Sequence, residues 1–395
     1  MNKSLSTLFV LSLLVMISCH RNGVDPNAII QRVSEQNIAD DRLEVFEYEC
    51  HLSGSTVTLT GATTSQKTLD AVKQELNKNG YQMKDEMTKL PDTASLEGKE
   101  YGVVDVSVCN LRSTNDFTAE LWLQGLLGMP VHLMQHETWY RVQTPDDYIA
   151  WVHPVGITPM TKAEYDAWNA AEKVVVTEHY GFTFKLPDVH SQHVSDVVAG
   201  DRLKFSGESG DFYKVTYPNG RVAFIGKDIA KRETEWRASL KQDPQSIIAT
   251  AETLMGIPYM WGANSSKAAD CSGFVRTVFF IHDIIVPRDA SQMARVGERI
   301  EIADQCSNLQ PGDLIFFGER GKDGAKDHVA HVALYMGNQR FIHSQGDVHE
   351  SSFNPKDANY DAYNLGRRLY AGRLLPYLNK QKEINTTLTN PYYNK

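Results

Sequence analysis

A cysteine and two histidines in the last third of the chain have the types and order needed for nucleophilic catalysis. Cys271 follows Asp270, a residue type that often caps a helix, and residues 271–279 carry apolar side chains at helical spacing. Cys271 is therefore predicted in the first turn of a helix. The free N–H groups and the positive dipole end of a helix favour a thiolate, which is the nucleophilic form of cysteine.

The two histidines are predicted on neighbouring antiparallel strands. His331 and His343 each lie in a short apolar segment typical of a strand, and a turn separates the two segments. They share a face only if the loop has an odd number of residues or the hairpin contains a bulge. A three-residue loop at 337–339 would place His343 opposite Ala333 and diagonal to His331. There His343 could orient the ring of His331, as the third member of a catalytic triad does.

Each of these residues also has a purely structural interpretation. A lone cysteine at a helix start is often a small buried side chain, and a lone histidine on a strand is often only packed or hydrogen-bonded. His328 and His331 could ligate a metal, but no acidic residue or cysteine has helical spacing with them. The combination favours catalysis, and we predict neither a metal nor another cofactor.

Length and charge limit the classes of function. The 395 residues predict two to four domains, with 42% hydrophobic and 23% charged residues, as in ordinary globular proteins. The net charge of −9 argues against general nucleic-acid binding, which needs a basic face. Cys50, Cys109 and Cys306 have no metal-site spacing and are predicted to be free thiols, although an exported protein could bridge Cys50 to Cys109.

The first residues are typical of an export signal. Lys3 precedes an apolar run at 8–17, and Met-Ile-Ser-Cys at 16–19 resembles the bacterial lipobox, in which the cysteine is lipidated. We therefore expect a signal peptide at 1–19 and a lipid on Cys19 that holds the protein at a membrane facing the periplasm. His20, rather than aspartate, favours the outer membrane by analogy. The alternative is an ordinary signal peptide that happens to contain a cysteine.

Hydrophobic patterning predicts several domains after the signal. Aromatic and β-branched runs recur around turns, and WYRVQTPDDYIAWV at 139–152 aligns with FYKVTYPNGRVAFI at 212–225. This repeat predicts two SH3-like β-barrels. The predicted segments are a tether and small α+β unit at 20–100, a first barrel at 101–156, a second barrel at 172–230, a catalytic domain at 246–378 and a loose polar tail at 379–395.

The catalytic domain resembles the NlpC/P60 family of papain-like cysteine peptidases. Six blocks occur in the family's order: GIPYMWGA, DCSGFV, VPRDASQMARVG, LQPGDLIFFG, HVALYMG and FIHS. The resemblance implies Cys271 as nucleophile, His331 as base and His343 as the residue that orients it. It also implies that Tyr259 lies near the sulfur and helps to bind the oxyanion or the substrate; otherwise Tyr259 is an aromatic plug. The implied fold class is α+β.

Two barrels before such a domain resemble the γ-D-glutamyl-L-diamino acid endopeptidases of cell-wall recycling. In that group the first barrel binds the free amino terminus of the substrate with an acidic residue and a tyrosine. The matching positions are Glu120 and Tyr148, and Asp270 and Ser272 complete the implied pocket. Glu120 could instead be a solvated surface charge. Arg288 matches a family arginine that either contacts a substrate carboxylate or pairs with Asp289.

The resemblance implies hydrolysis of the bond between γ-D-Glu and a diamino acid in short wall peptides that begin L-Ala-D-Glu. The implied partners are such peptides and a membrane, with no nucleic acid, and the protein is expected to be a monomer. The alternatives are a non-catalytic peptidoglycan-binding lipoprotein and a hydrolase of another wall-peptide bond. Residues 31–100 have no counterpart in the family layout, and the polar insert at 319–327 could border the cleft.

Overall fold

The computed structural model describes residues 24–394. The predicted signal peptide and Cys19 lie outside the described residues. No helix within 24–394 has the length and apolar character needed to cross a membrane. The chain divides into two compact units, one ending at Lys89 and the other beginning at Leu90.

The first unit is a three-stranded sheet with two helices. Strands β1 and β2 are antiparallel, whereas β2 and β3 are parallel and are joined by helix α2, because parallel strands need a crossover. Ile30 and Val72 of the helices pack with Leu59 of β2 in one core. The elements are α1 (Pro26–Asn37), β1 (Phe46–Ser53), β2 (Thr56–Thr63), α2 (Gln66–Lys78) and β3 (Gln82–Lys89).

Two predicted boundaries of this unit were wrong. Asp25 caps α1, whose buried apolar face starts at Ile29, so the described chain is already folded where the tether was expected. At the other end, residues after Lys89 belong to the second unit, where α3 (Thr93–Leu96) packs on the first strand module. Residues 90–100 are rich in charged and turn-forming types, and their sequence does not mark the boundary between the two units.

The first strand module is a seven-stranded antiparallel sheet in the order β10-β4-β7-β8-β9-β5-β6. Its predicted end at 156 was too early, because Ile157–Met160 pairs with Tyr101–Val104 and returns the chain to the start of the sheet. The strands are β4 (Tyr101–Val104), β5 (Val108–Arg112), β6 (Leu121–Leu126), β7 (Pro130–His136), β8 (Tyr140–Gln143), β9 (Ile149–Val152) and β10 (Ile157–Met160).

The second strand module is also a seven-stranded sheet, in the order β13-β12-β16-β15-β14-β11-β17. The aligned segments form hairpins β8–β9 and β15–β16, so the internal repeat is visible in both sheets. Trp168 of the linking helix α4 is buried with Val103 and Met160 and anchors the helix to the first strand module. The elements are α4 (Lys162–Ala170), β11 (Lys173–Val176), β12 (Tyr180–Phe184), β13 (His193–Val198), β14 (Arg202–Ser209), β15 (Phe212–Thr216), β16 (Val222–Gly226), β17 (Ala230–Arg232) and α5 (Glu233–Ser239).

The third module packs helix α7 against a six-stranded sheet in the order β20-β25-β21-β22-β23-β24. Phe274 and Val278 of α7 share a core with Phe316, Val332 and Ile342 of the sheet. The elements are α6 (Pro244–Thr253), β18 (Asn264–Ser265), β19 (Ala268–Ala269), α7 (Cys271–Ile281), α8 (Ala290–Met293), β20 (Glu298–Ile300), β21 (Leu314–Glu319), β22 (His328–Gly337), β23 (Arg340–Gln345), β24 (Asp347–Ser352), α9 (Ala362–Gly366) and β25 (Arg368–Arg373).

Side chains join the strand modules to the third module. Asn264 and Gln124 bind each other reciprocally: each backbone N–H donates to the other's side-chain carbonyl, at 2.7 and 3.1 Å. Arg276 of α7 forms a buried ion pair with Asp146, in the turn before β9. Helix α7 and the first sheet are therefore directly connected.

The C-terminal residues form a packed strap, and the predicted loose tail was wrong. Ile384 is fully buried in the core of the third module, and the Tyr392 ring stacks on His132 of the first strand module at 4.1 Å. The Asn390 side chain donates to the Pro145 carbonyl at 2.8 Å. The polar composition was misleading because these side chains satisfy backbone groups instead of facing water.

Candidate active site

Cys271 begins α7, as predicted, and its side chain is buried. Asp270 caps the helix by accepting a hydrogen bond from the Gly273 N–H at 2.7 Å. A side chain at 273 would collide with the Ala263 carbonyl oxygen, so glycine lets the helix start lie against the preceding loop. The sulfur accepts from the backbone N–H groups of Ser272, on the helix, and Val332, on β22. Cys271 therefore lies against the residue that follows His331.

The two histidine rings are hydrogen-bonded to each other. His331 Nε2 lies 2.8 Å from His343 Nδ1, and His343 Nε2 lies 3.2 Å from the hydroxyl oxygen of Ser351. His343 is completely buried. Since Nε2 of His331 is engaged with His343, Nδ1 is the ring nitrogen left to exchange a proton with the cysteine. Ser351, which the sequence analysis missed, extends the pair to a third strand.

The hairpin achieves this alignment by a different turn from the predicted one. The strands pair Gly337 with Arg340, so the turn has two residues, Asn338 and Gln339, both left-handed. A bulge at Met336 then restores the pairing of Tyr335 with Phe341. The inserted residue compensates for the even loop, so both histidines still lie on one face.

Burial acts against a resting thiolate. It raises the pKa of Cys271 to about 12, and the Asp270 carboxylate adds to this shift. The N–H groups of Val332 and Ser272 lower the pKa, in the direction predicted for a helix start, but they do not outweigh burial. The helix end alone is therefore insufficient to ionise the sulfur.

Burial also disfavours a charged imidazole. It lowers the pKa of His331 to about 3, with further lowering by the charges of Arg367 and His349. Burial likewise lowers the pKa of His343 to about 3. Proton transfer from Cys271 to His331 creates two opposite charges whose attraction offsets their desolvation, so the groups should ionise as a pair. This arrangement suits base-assisted attack.

Tyr259 lies at the mouth of this site. Its backbone N–H donates to the Gly346 carbonyl at 2.9 Å, which holds the loop before Cys271 against the turn after β23. The charges of Cys271 and Asp270 act on its hydroxyl, and burial raises the pKa of Tyr259. The neutral hydroxyl can therefore donate a hydrogen bond to an oxyanion.

Arg288 is bound by Asp270 and Ser272 inside the protein. Its Nη2 lies 2.6 Å from Asp270 Oδ2, and its Nη1 donates to the Ser272 hydroxyl oxygen at 2.9 Å. Asp270 also accepts from Gly262 N at 2.9 Å. The side chain of Arg288 is 1% exposed. In the structure these residues brace the start of α7, and the negative charge of Asp270 is already balanced.

Glu120 is exposed and lies beside the loop that precedes Cys271. Trp261 Nε1 donates to Glu120 Oε1 at 2.7 Å, and Trp122 Nε1 donates to Oε2 at 3.3 Å. The Trp122 ring also packs edge-on against Tyr148, with 6.0 Å between centroids. Tyr148 is buried, and its charge would act on Arg288. The structure thus links Glu120 and Tyr148 to the Asp270–Arg288 pair.

The two tryptophans were not predicted as site residues. An indole at 122 or 261 has no sequence signature of hydrogen bonding to a distant carboxylate, because the partners are 141 positions apart for Trp261. Within residues 24–394, no three histidine, cysteine, aspartate or glutamate side chains are arranged to hold a metal ion. The four cysteines of that range are free.

Comparisons with known proteins identify the family of the module that contains these residues. A profile of the NlpC/P60 family matches residues 256–366. A gamma-D-glutamyl-L-lysine dipeptidyl-peptidase from Bacillus cereus is 30% identical over 243 residues, which cover 57% of this chain and 70% of the relative. The chain belongs to the NlpC/P60 family. Dipeptidyl-peptidase 6 of Lysinibacillus sphaericus is 24% identical over 66% of this chain and 93% of that relative.

A solved NlpC/P60 family structure shares the mixed α/β fold. The protein, from Bacillus cereus, superposes with a TM-score of 0.58 at 24% identity, covering 70% of this chain and 100% of its own. The family and the named relatives support a peptidase. Assignment of the two seven-stranded sheets to the SH3-like class stays a prediction.

Proposed function

We propose that this NlpC/P60 protein is a cysteine endopeptidase that hydrolyses the bond between γ-D-Glu and an L-diamino acid in peptidoglycan-derived peptides with a free N-terminal L-Ala. The observation that carries the proposal is the hydrogen-bonded chain from His331 through His343 to Ser351, with the Cys271 sulfur on the N–H of Val332. The named activity of the Bacillus cereus relative supports the choice of bond.

The chemistry proceeds in two stages. His331 takes the proton of Cys271, and the thiolate attacks the γ-carbonyl carbon. The Tyr259 hydroxyl and N–H groups at the start of α7 stabilise the oxyanion. His331 then protonates the leaving amine, and the acyl-enzyme keeps L-Ala-γ-D-Glu as a thioester. In the second stage His331 activates water, which releases the dipeptide and returns the proton to the sulfur.

Charge balance favours Glu120 as the group that binds the substrate amine. Within 24–394 Glu120 forms no ion pair, since its two recorded donors, Trp122 and Trp261, are neutral indoles. Asp270, in contrast, is neutralised by Arg288. An ammonium ion that enters the cleft needs an unbalanced carboxylate, and Glu120 supplies one.

Defined peptides test the proposal. We expect wild-type protein to release L-Ala-D-Glu from L-Ala-γ-D-Glu-L-diamino acid, and Cys271→Ala to release none, as measured by chromatography and mass spectrometry. Glu120→Gln should lower kcat/KM about tenfold on the free-amine peptide and little on its N-acetylated form, because only the former presents a cation. Glu137→Gln is the matched control, since Glu137 is an exposed residue of the turn between β7 and β8 in the same module and accepts amide hydrogen bonds.

Two results would contradict these assignments. Cleavage at another bond, such as a D-Ala crosslink, would retain the peptidase and reject the proposed bond. An equal loss on free and acetylated peptides would reject the amine-binding role of Glu120.

We also propose that the protein is exported and attached by lipid on Cys19 to a membrane facing the periplasm. The apolar run at 8–17 followed by Ser18-Cys19 supports this. Incorporation of labelled palmitate into wild type but not into Cys19→Ser would be the expected result; equal incorporation would reject the site.

A further inference from the structure

Arg367 is a cation near the catalytic histidine that no protein carboxylate balances. It follows helix α9 and is half-buried, and its Nη1 donates to the Tyr363 hydroxyl at 2.8 Å. Its guanidinium carbon lies 5.1 Å from the Tyr363 ring centroid. Within residues 24–394 Arg367 forms no salt bridge, although the nearby Arg373 is paired with Asp313. The guanidinium thus keeps donors and charge for a ligand.

The sheet places Arg367 two strands from His331, close enough for its charge to act on the imidazole. The Gly318 N–H donates to the Arg367 carbonyl at 2.9 Å, and Gly318 follows Phe317, whose Cα pairs with that of His331. Arg368, the next residue, pairs with Phe317 from the other side. Arg367 therefore immediately precedes β25, two strands across the sheet from β22, the strand that carries His331.

Helix α9 fixes the position of this cation. Asp361 caps the helix at the Asn364 N–H, and the Asn364 side chain donates to Gln345 Oε1 at 3.0 Å. Gln345 ends β23, the strand of His343. Tyr363 is 64% exposed, so the Arg367–Tyr363 pair is accessible although its backbone is held.

The positive charge of Arg367 opposes protonation of His331, which the reaction requires. An unbalanced cation at this place therefore hinders the base unless an anion joins it. The leaving group provides one, because the carbon that bears the departing amine also bears a carboxyl group. When His331 protonates the departing amine, the α-carboxyl carbon lies only two bonds from the amine nitrogen. A bound carboxylate would neutralise Arg367 and remove the repulsion.

We propose that Arg367, steadied by Tyr363, binds the α-carboxylate of the leaving diamino acid. The inference rests on the proposed function and specifies its leaving-group subsite. It makes the enzyme selective for peptides that end at the diamino acid, where this carboxylate is free, over peptides that continue as an amide. The carboxylate of such a substrate neutralises Arg367. A peptide that continues as an amide leaves the positive charge of Arg367 unopposed near His331.

Two peptides test the subsite: L-Ala-γ-D-Glu-L-Lys with a C-terminal carboxylate, and the same peptide with a C-terminal carboxamide. Wild-type enzyme should show about tenfold higher kcat/KM on the carboxylate, as expected for one charge-assisted interaction. Arg367→Gln should lose that preference by slowing the carboxylate peptide alone, and Arg367→Lys should keep part of it. Arg340→Gln, a surface variant with the same charge change, should behave as wild type.

The outcomes separate the two proposals. If wild type cleaves neither peptide, the proposed function fails and the subsite with it. If it cleaves both equally, or if Arg367→Gln slows both equally, only the subsite is rejected. A meso-diaminopimelate peptide amidated at the α-carboxyl retains its distant carboxylate. An Arg367-dependent preference that survives this amidation would assign Arg367 to the distant group and overturn the α-carboxylate assignment.

Discussion

The residues proposed to carry out catalysis are the part of the site that the sequence indicated best. Cys271, His331 and His343 could be selected because each lies in a short segment whose periodicity fixes the face on which it points. Ser351 could not, since a serine on a strand has many structural uses. The Arg288–Asp270 pair also escaped prediction, because the choice among nearby charges depends on how the loop after α7 returns to the helix start.

His343 should act by positioning His331. His343→Ala is expected to lower kcat by on the order of 10²-fold with little change in KM. Within residues 24–394 the His331 ring hydrogen-bonds to the side chain of His343, and the variant removes this partner and the alignment that it provides. His343→Gln can still hydrogen-bond to His331 and should restore part of the rate. Steady-state kinetics at several pH values would measure both variants.

A purely structural role for His343 predicts a different pattern. Both variants would then lose activity in proportion to lost folded protein, and the pH profile of the remaining activity would match wild type. Circular dichroism of the same preparations provides the comparison.

Single elements were predicted where their pattern was regular. Helix α7 and hairpins β8–β9 and β15–β16 follow clear patterns in the sequence, and all three are present. Strand β14 was missed because a bulge near Gly207 interrupts its alternation. The β22–β23 turn shows the same effect, since a bulge compensates for a loop of unexpected length. Bulges depend on tertiary packing, so a two-residue period cannot reveal them.

The ion pair between Arg276 and Asp146 should hold helix α7 to the loop that carries Tyr148. Their side chains are 11% and 3% exposed. Asp146→Asn leaves a buried guanidinium without a countercharge and should reduce the free energy of unfolding by roughly 3–5 kcal/mol. It should also lower kcat/KM, because Tyr148 and the nucleophile lose their common support. Denaturant unfolding and peptide kinetics would measure the two effects.

The control for Asp146→Asn is Glu350→Gln, which breaks a partly exposed ion pair. Glu350 and its partner Arg340 both lie on the six-stranded sheet of the third module. The cost of Glu350→Gln should stay below about 1 kcal/mol. If both variants lowered the free energy of unfolding by similar amounts, burial would not strengthen the contribution of the Arg276–Asp146 pair to stability.

At the scale of the whole molecule, repeats and motif blocks indicated where the modules lie, but the packing of the segment after 379 was not predicted. The repeat at 139–152 and 212–225 located two sheets, and the six motif blocks located the third module. The segment after 379 was misjudged because asparagine and threonine are common both in loops and in buried amide networks. Only the positions of Pro145 and His132 in space distinguish these cases.

Tyr392 should contribute to the stability of the second unit. It is 4% exposed, stacks on His132, and its carbonyl accepts from Tyr165 at 2.6 Å. Tyr392→Ala removes a buried aromatic ring and should cost about 3–5 kcal/mol in the free energy of unfolding. Leu388→Ala, at a residue that is 58% exposed in the same strap, should change stability little. Thermal unfolding of both variants decides whether the strap supports the fold, and equal effects would contradict it.

The reciprocal amide pair of Gln124 and Asn264 has a consequence for protein engineering. Each side chain satisfies the other's backbone, so a chimera that takes the first sheet from one homologue and the peptidase module from another would inherit only half of the pair. The mismatched partner would bury an amide with nothing to bind at the junction. Successful chimeras should therefore exchange positions 124 and 264 together.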